Sequence, residues 1–123
     1  MNSSPPPLSP SSSSDRFNTS QIVCLEAEKT YLYAEVIQII PDRQMCWVRP
    51  LLLAIFNEFE LDKIYDLRSA SDLVWPDRFF RAAIDTEVIP LIVELEASST
   101  VIRETNLIRP QLHRFLQRIW QTE

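Results

Sequence analysis

The chain of 123 residues contains no glycine, although average usage predicts about eight or nine. Glycine reaches positive φ and brings the backbone close to a phosphate at little steric cost. Its absence excludes the phosphate-binding loop, the dinucleotide fingerprint and the nucleophile elbow of hydrolases. We also expect no tight hairpins of the Asn-Gly type, and we expect turns that use Pro, Asp, Asn and Ser instead.

Side chains suited to catalysis or metal binding are few. His113 is the only histidine, which excludes a multi-histidine metal site and weakens any acid–base triad. Cys24 and Cys46 are too few for a four-ligand zinc site, and we interpret both as buried, reduced thiols. We interpret one acidic stretch as an exposed loop; its carboxylates are Glu58, Glu60, Asp62 and Asp66. This stretch lacks the glycine that a calcium-binding loop needs for its sharp turn. Taken together, these residues predict a protein that is not an enzyme and has no cofactor or metal.

The net charge of −5 argues against a nucleic-acid surface, which needs clustered lysine and arginine. The longest apolar run, residues 51–56, is far shorter than the roughly 20 residues of a membrane-spanning helix. The first residues have neither the basic nor the apolar region of a signal peptide. We therefore expect a cytoplasmic protein with no membrane span.

Composition divides the chain into a tail and one domain. Residues 1–14 contain four prolines and seven serines, so residues 1–19 are predicted to be a disordered Pro/Ser-rich tail. Its role is open between a solubilising segment, a polyproline II ligand and a site of serine phosphorylation. Residues 20–123 are predicted to form a single globular domain, with strands in residues 20–76 and helices in residues 77–123.

The first part of the domain has strand-like patterns rich in β-branched and aromatic residues. Strands are predicted at residues 21–26, 31–40, 45–53, 63–67 and 73–75. Pro41 and Asp42 suit a turn that joins the second and third strands into a hairpin. Pro50 places the third strand at an edge, bends it, or both, and the apolar run that follows fits a strand or a short helix.

Helical patterns dominate after Pro76. Asp77 is a plausible cap for a helix with apolar residues at Phe79, Phe80, Ala83 and Ile84. Residues 86–96 fit either a helix or a strand, and we favour a helix that begins near Glu87. The last segment carries an apolar stripe at helical spacing, with Pro110 in its first turn. The stripe comprises Leu112, Phe115, Leu116, Ile119 and Trp120.

A run of strands followed by helices is typical of the α+β class. Short loops between consecutive strands favour an antiparallel meander. At four to five strands, the most economical form is a small SH3-like or half-open barrel followed by C-terminal helices.

Two groups of aromatic and arginine side chains are candidate binding residues. Tyr31 and Tyr33 share one face of their strand, and Trp47 and Arg49 share one face of the next. Across a hairpin these side chains can form an aromatic–Arg patch of the kind enriched in interfaces, although each ring is also a candidate for the core. Trp75 and Arg78 form the second group, which suits either a junction between the barrel and the helices or a partner groove.

Three segments, YAEVIQ at residues 33–38, CWVRPL at 46–51 and DTEVIPL at 85–91, carry a resemblance over residues 21–121. The chain resembles an uncharacterised family of small cyanobacterial proteins. The resemblance implies no activity and no functional residue, and it is compatible with a cytoplasmic or thylakoid-associated location.

The sequence favours a non-catalytic protein-binding module or an assembly accessory factor, whose partner is another protein. The alternative is a small RNA-binding barrel, although the acidic composition makes nucleic acid a poor partner. The arginines assigned to that alternative are Arg103, Arg109, Arg114 and Arg118.

Overall fold

A six-stranded antiparallel sheet forms the centre of the computed structural model, which describes residues 17–121. The strands are β1 (Ile22–Ala27), β2 (Thr30–Ile40), β3 (Met45–Asn57), β4 (Glu60–Asp66), β5 (Leu73–Pro76) and β6 (Arg81–Ala82). Two helices follow, α1 (Asp85–Ala97) and α2 (Thr105–Gln121). The predicted α+β class, a small open antiparallel sheet followed by C-terminal helices, is confirmed. The sheet has one strand more than predicted, because the two-residue β6 adds to its edge.

The β2–β3 hairpin is the longest ladder of the sheet. It runs from the pair Thr30–Ile55 to the pair Ile40–Met45. A short 3-10 turn, Pro41–Arg43, closes it where the sequence predicted a turn. The apolar run at residues 51–56 is therefore a continuation of β3 and not a helix. The strand order is β4-β3-β2-β1-β6, and β5 also pairs with β3.

Pro50 lies inside an interior strand and not at an edge. On one side, β3 pairs with β2. This ladder skips Leu51, next to Pro50, and the resulting irregularity corresponds to the bend that the sequence predicted at Pro50. On the other side, residues 45–48 pair with β5 and residues 52–57 pair with β4. Pro50 falls between these two partners, where no strand needs the N–H that proline lacks.

Two tight hairpin turns use residues other than the expected Pro, Asp, Asn and Ser. Glu28 and Glu58 occupy two-residue hairpin turns with φ of 57° and 60°, and Gln44 has a φ of 55°. Positive φ is unfavourable for residues with a Cβ atom, at a cost of roughly 1–2 kcal/mol each. The sheet ladders on both sides of each turn hold these residues in that conformation.

The two helices pack on opposite faces of the sheet, each over its own hydrophobic cluster. The cluster under α2 includes Leu32, Val36, Val48, Leu53, Phe80, Ile108, Phe115 and Ile119. The cluster under α1 includes Cys24, Tyr33, Leu52, Ala54, Ile64, Val88, Leu91 and Leu95. Side chains of β2 and β3 alternate between the two clusters, as the two-residue period of a strand requires.

The prediction of a helix at residues 79–84 is wrong. A 3-10 turn, Asp77–Phe79, leads directly into β6, which pairs with β1. Phe80 is buried under α2, and the backbone of residues 81–82 hydrogen-bonds to an open sheet edge. Tertiary pairing therefore overrides a spacing that suits a helix.

The two predicted long helices are present but begin earlier than predicted. α1 begins at Asp85, so Pro90 is its sixth residue, and α2 begins at Thr105, so Pro110 is also its sixth residue and not part of the first turn. The apolar stripe of α2 is buried at Phe115 and Ile119. It is half-buried at Leu112 and Leu116, and Trp120 is 53% exposed.

Phe17 is buried in the cluster under α2, so the packed part of the chain includes a residue of the predicted tail. Residues 1–16, which carry most of that tail, lie outside the described residues. Within residues 17–121, no helix has both the length and the apolar character needed to cross a membrane.

Candidate protein-binding surfaces

The four residues of the predicted aromatic–Arg patch fall into two pairs in the structure. Across the β2–β3 ladder, Tyr31 lies opposite Ala54, whereas Trp47 lies opposite Gln38. Residues that face each other in a hairpin are equally far from its turn. Trp47 lies near the turn and Tyr31 lies at the far end, so the two cannot face each other. The ladder also pairs Tyr33 with Leu52 and Arg49 with Glu35, so neither tyrosine faces Trp47 or Arg49 across the hairpin as the sequence predicted.

Trp47 and Arg49 share one carboxylate instead. Trp47 Nε1 donates to Asp72 Oδ2 at 3.0 Å, and Arg49 Nε donates to Asp72 Oδ1 at 3.2 Å. The hydrogen bonds from Arg49 and then from Trp47 lower the pKa of Asp72. This cluster ties β3 to the loop that precedes β5.

Tyr31 and Tyr33 line a cleft at the far end of the hairpin. We call it the aromatic cleft; it has a volume of about 830 Å³ between the β1–β2 turn, the β3–β4 turn and α1. The Tyr31 ring is nearly parallel to that of Tyr33, with 6.5 Å between centroids, and meets Phe56 edge-on at 5.5 Å. Phe59, in the β3–β4 turn, also lines the cleft, and its side chain is 95% exposed.

A carboxylate at the start of α1 forms one wall of the aromatic cleft. Glu87 Oε2 accepts a 2.6 Å hydrogen bond from the Tyr33 hydroxyl, and Arg81 donates to both Glu87 oxygens at 2.9 and 3.0 Å. Glu87 also accepts the Ile84 N–H at 3.0 Å, which caps the helix. Arg81 Nε reaches Glu26 at 3.3 Å. These contacts join β1, β2, β6 and α1 at one point.

The environment of Glu87 makes stability depend on pH. The hydrogen bonds from Arg81, and after them the one from Tyr33, lower the pKa of Glu87 from 4.5 to about 2. Burial, followed by the hydrogen bond to Glu87, raises the pKa of Tyr33 above its ordinary value. Because the folded-state pKa of Glu87 is depressed, its ionised form stabilises the fold above pH 4.5, and this contribution is lost as the pH falls towards 2.

We therefore expect Glu87→Gln to lower the free energy of unfolding at pH 7. The loss should be only about 1–2 kcal/mol, because the Arg81 side chain is 42% exposed and solvent screens its ion pair with Glu87. The gap between wild type and variant should close between pH 4.5 and about 2. Urea unfolding at a series of pH values measures it. A gap that stays constant over that range would contradict the role of the Glu87 charge.

Trp75 and Arg78, the second predicted group, belong to an aromatic cluster at the end of α2. The Trp120 ring lies 5.6 Å from Trp75 and 5.5 Å from Phe79, measured between centroids. The Arg78 guanidinium lies 4.7 Å from the centroid of the Phe79 ring, within range of a cation–π interaction. The Trp75 indole N–H is buried and has no hydrogen-bond partner within residues 17–121. The cluster joins β5 to α2, so it serves as the junction between strands and helix.

The two cysteines are buried on opposite sides of the sheet, Cys24 under α1 and Cys46 under α2. Burial raises the pKa of the Cys24 thiol to about 12, so little thiolate exists near neutral pH. His113 is exposed. In the part of the chain that the structure describes, no three His, Cys, Asp or Glu side chains are grouped to hold a metal ion.

One ion-pair cluster joins the acidic stretch to Arg103, one of the four arginines assigned to the RNA-binding alternative. Asp66 is not in an exposed loop but is buried at the end of β4, where it accepts from Arg68 at 3.0 Å and from Arg103. Arg103 also donates to the Leu95 carbonyl at 2.8 Å. The Arg103 side chain therefore holds the linker between the helices to β4 and to the end of α1, which weakens its assignment to an RNA-binding surface.

Sequence reasoning missed Phe59, Phe56 and the Arg81–Glu87 pair. The sequence signal was a phenylalanine between two glutamates in a stretch interpreted as a loop, which places a large apolar ring in a solvated turn. The Arg81–Glu87 pair depends on β6, which local spacing did not indicate.

Comparison of the chain with protein-family models, with curated proteins and with solved structures finds no match.

Proposed function

We propose that the protein is a non-catalytic protein-binding module or assembly accessory factor that docks its partner on the aromatic cleft. The observation that carries the proposal is the Phe59 ring, 95% exposed beside the cleft wall formed by Tyr31 and Phe56. Aromatic side chains are enriched at protein interfaces, and burying such a ring stabilises a complex. We place this interaction in the cytoplasm, as the sequence predicts.

The outer side of α1 extends the apolar surface beside the cleft. Ile89 and Val93 are each more than half exposed, as is Ile84 at the helix start, whereas the opposite side of α1 is buried. A helix that is apolar on both sides normally has both sides covered. Pro90 of the same helix lines the cleft whereas Ile89 and Val93 lie outside the lining, so a partner that extends past the cleft would cover this side of α1.

Strain in the backbone supports a role for the β3–β4 turn. Glu58 holds a φ of 60° immediately before Phe59. Unfavourable backbone conformations of this kind cluster at functional sites. The turn therefore exposes a large apolar ring next to a strained backbone position, and burial of that ring by a partner would recover the free energy lost by its exposure to water.

Affinity capture from lysate of the native host tests the proposal. Phe59→Ala should lose a stoichiometric protein partner that wild type retains. Leu107→Ala is the matched control, because it removes another large side chain that is about half exposed, on α2 and away from the cleft. Capture that survives Phe59→Ala would overturn the proposal, and RNA recovered in place of a protein, and released by salt, would favour the RNA-binding alternative.

A further inference from the structure

The charged side chains that line the aromatic cleft are mostly acidic. They are Glu26, Lys29, Glu58, Arg81, Glu87 and Glu94. Four carboxylates against two cationic groups leave two negative charges in excess. Arg81 is held by Glu87 and Glu26 within this set, so its charge is offset inside the wall of the cleft.

Two of the carboxylates are available to a ligand. The side chains of Glu58 and Glu94 make no ion pair with any residue between 17 and 121. They belong to two different elements that line the cleft, the β3–β4 turn and α1. A cation in the cleft could therefore meet carboxylates from both elements.

The aromatic walls favour the same kind of ligand. The rings of Tyr31, Phe56 and Phe59 line the cleft, and ring faces attract ammonium and guanidinium groups. The aliphatic part of an arginine or lysine side chain also packs on such rings while its charged end reaches a carboxylate. The excess carboxylates of the cleft would instead repel an acidic segment.

Resting on the proposed function, we propose that the aromatic cleft binds a basic segment of the partner protein, with an arginine or lysine side chain between Phe59 and α1. The protein's own Pro/Ser tail matches this chemistry poorly, because residues 1–16 contain one arginine next to one aspartate and no lysine. A second copy of the chain also matches poorly, since the net charge is −5.

Titration of the full chain with capped pentapeptides tests the inference. The probes are acetylated and amidated Ala-Arg-Ala-Arg-Ala, with Ala-Gln-Ala-Gln-Ala and Ala-Glu-Ala-Glu-Ala as controls. Backbone amide chemical shifts from NMR report where each peptide binds. We expect saturable shifts at Glu58, Phe59 and Glu94 with the arginine peptide, and no saturable shifts with either control.

A matched pair of double variants separates the cleft from the overall charge. Glu58→Gln with Glu94→Gln should weaken binding of the arginine peptide by about tenfold. Asp42→Asn with Asp62→Asn removes the same charge from exposed positions outside the cleft and should change the dissociation constant less than twofold. Equal weakening by the two double variants, or equal binding of the glutamate peptide, would overturn the inference.

The outcomes also separate this inference from the proposed function. In one outcome, Phe59→Ala loses the captured partner, but the Glu58 and Glu94 double variant binds the arginine peptide like wild type. The proposed protein-binding role then stands, and the inference that the cleft binds a basic segment is wrong. If Phe59→Ala retains the partner, the docking site itself is wrong.

Discussion

Truncating Phe115 to alanine is expected to lower the free energy of unfolding by about 3–5 kcal/mol. The Phe115 ring is 1% exposed and belongs to the cluster between α2 and the sheet. α2 forms no strand pairing, so buried side chains such as this one and Ile119 hold it on the sheet. Removing the ring leaves a cavity under the middle of the helix. Urea unfolding followed by circular dichroism measures the change.

Trp120→Ala is the comparison for Phe115→Ala. Trp120 lies on the same apolar stripe and its ring contacts those of Trp75 and Phe79, but the residue is 53% exposed. We expect it to cost about 1–2 kcal/mol, because about half of its surface is already in water. Equal costs for Phe115→Ala and Trp120→Ala would show that α2 packs differently.

Replacing Asp66 with alanine is expected to lower the free energy of unfolding by about 2–4 kcal/mol. The Asp66 side chain is 11% exposed and accepts from the Arg68 side chain, from the Arg68 backbone N–H at 3.0 Å and from Arg103. Its own backbone N–H donates to the Ile102 carbonyl at 2.9 Å. Asp66 thus anchors the linker that carries the chain from one face of the sheet to the other.

Asp66→Asn keeps the size and one acceptor oxygen, so it should fall between wild type and Asp66→Ala. The hydrogen bonds from Arg68 are the main cause that lowers the pKa of Asp66, and the asparagine variant removes the charge together with one of the two acceptor oxygens. Arg68→Ala should cost less than Asp66→Ala, because the Arg68 side chain is 40% exposed. An Asp66→Ala variant as stable as wild type would contradict the anchoring role.

Most of the sheet could be predicted because its strands combine β-branched residues with a clear turn. Residues 31–40 and 45–53 flank Pro41 and Asp42, and the structure forms the hairpin there. The α+β class could be predicted because the strand-like segments precede the helical segments along the chain. The helix preference for residues 86–96 also holds, since buried Val88, Leu91 and Leu95 follow helical spacing.

Features that depend on long-range pairing could not be predicted. Pro50 sits in an interior strand only because β4 and β5 divide the far side of β3 between them. Residues 81–82 form a strand only because β1 offers an open edge. Neither arrangement leaves a local pattern in the sequence, and the helical spacing near Phe79 indicated the wrong structure.

The candidate site was predicted in part. Tyr31 and Tyr33 were correctly identified as sharing one strand face, and both line the aromatic cleft. Whether Trp47 and Arg49 join the same patch depends on the strand register, which pairs them with Gln38 and Glu35 and not with the tyrosines. Phe59 was overlooked because its flanking glutamates suggested an exposed loop.

The most direct test of protein binding at the aromatic cleft is site-specific photo-crosslinking in native lysate. A benzophenone amino acid replaces Phe59 in the full chain, and the same amino acid replaces Leu107 in a control. We predict one dominant crosslinked protein from position 59 and none of that protein from position 107. Identical crosslinking from the two positions, or no crosslinked protein at position 59, would contradict the account.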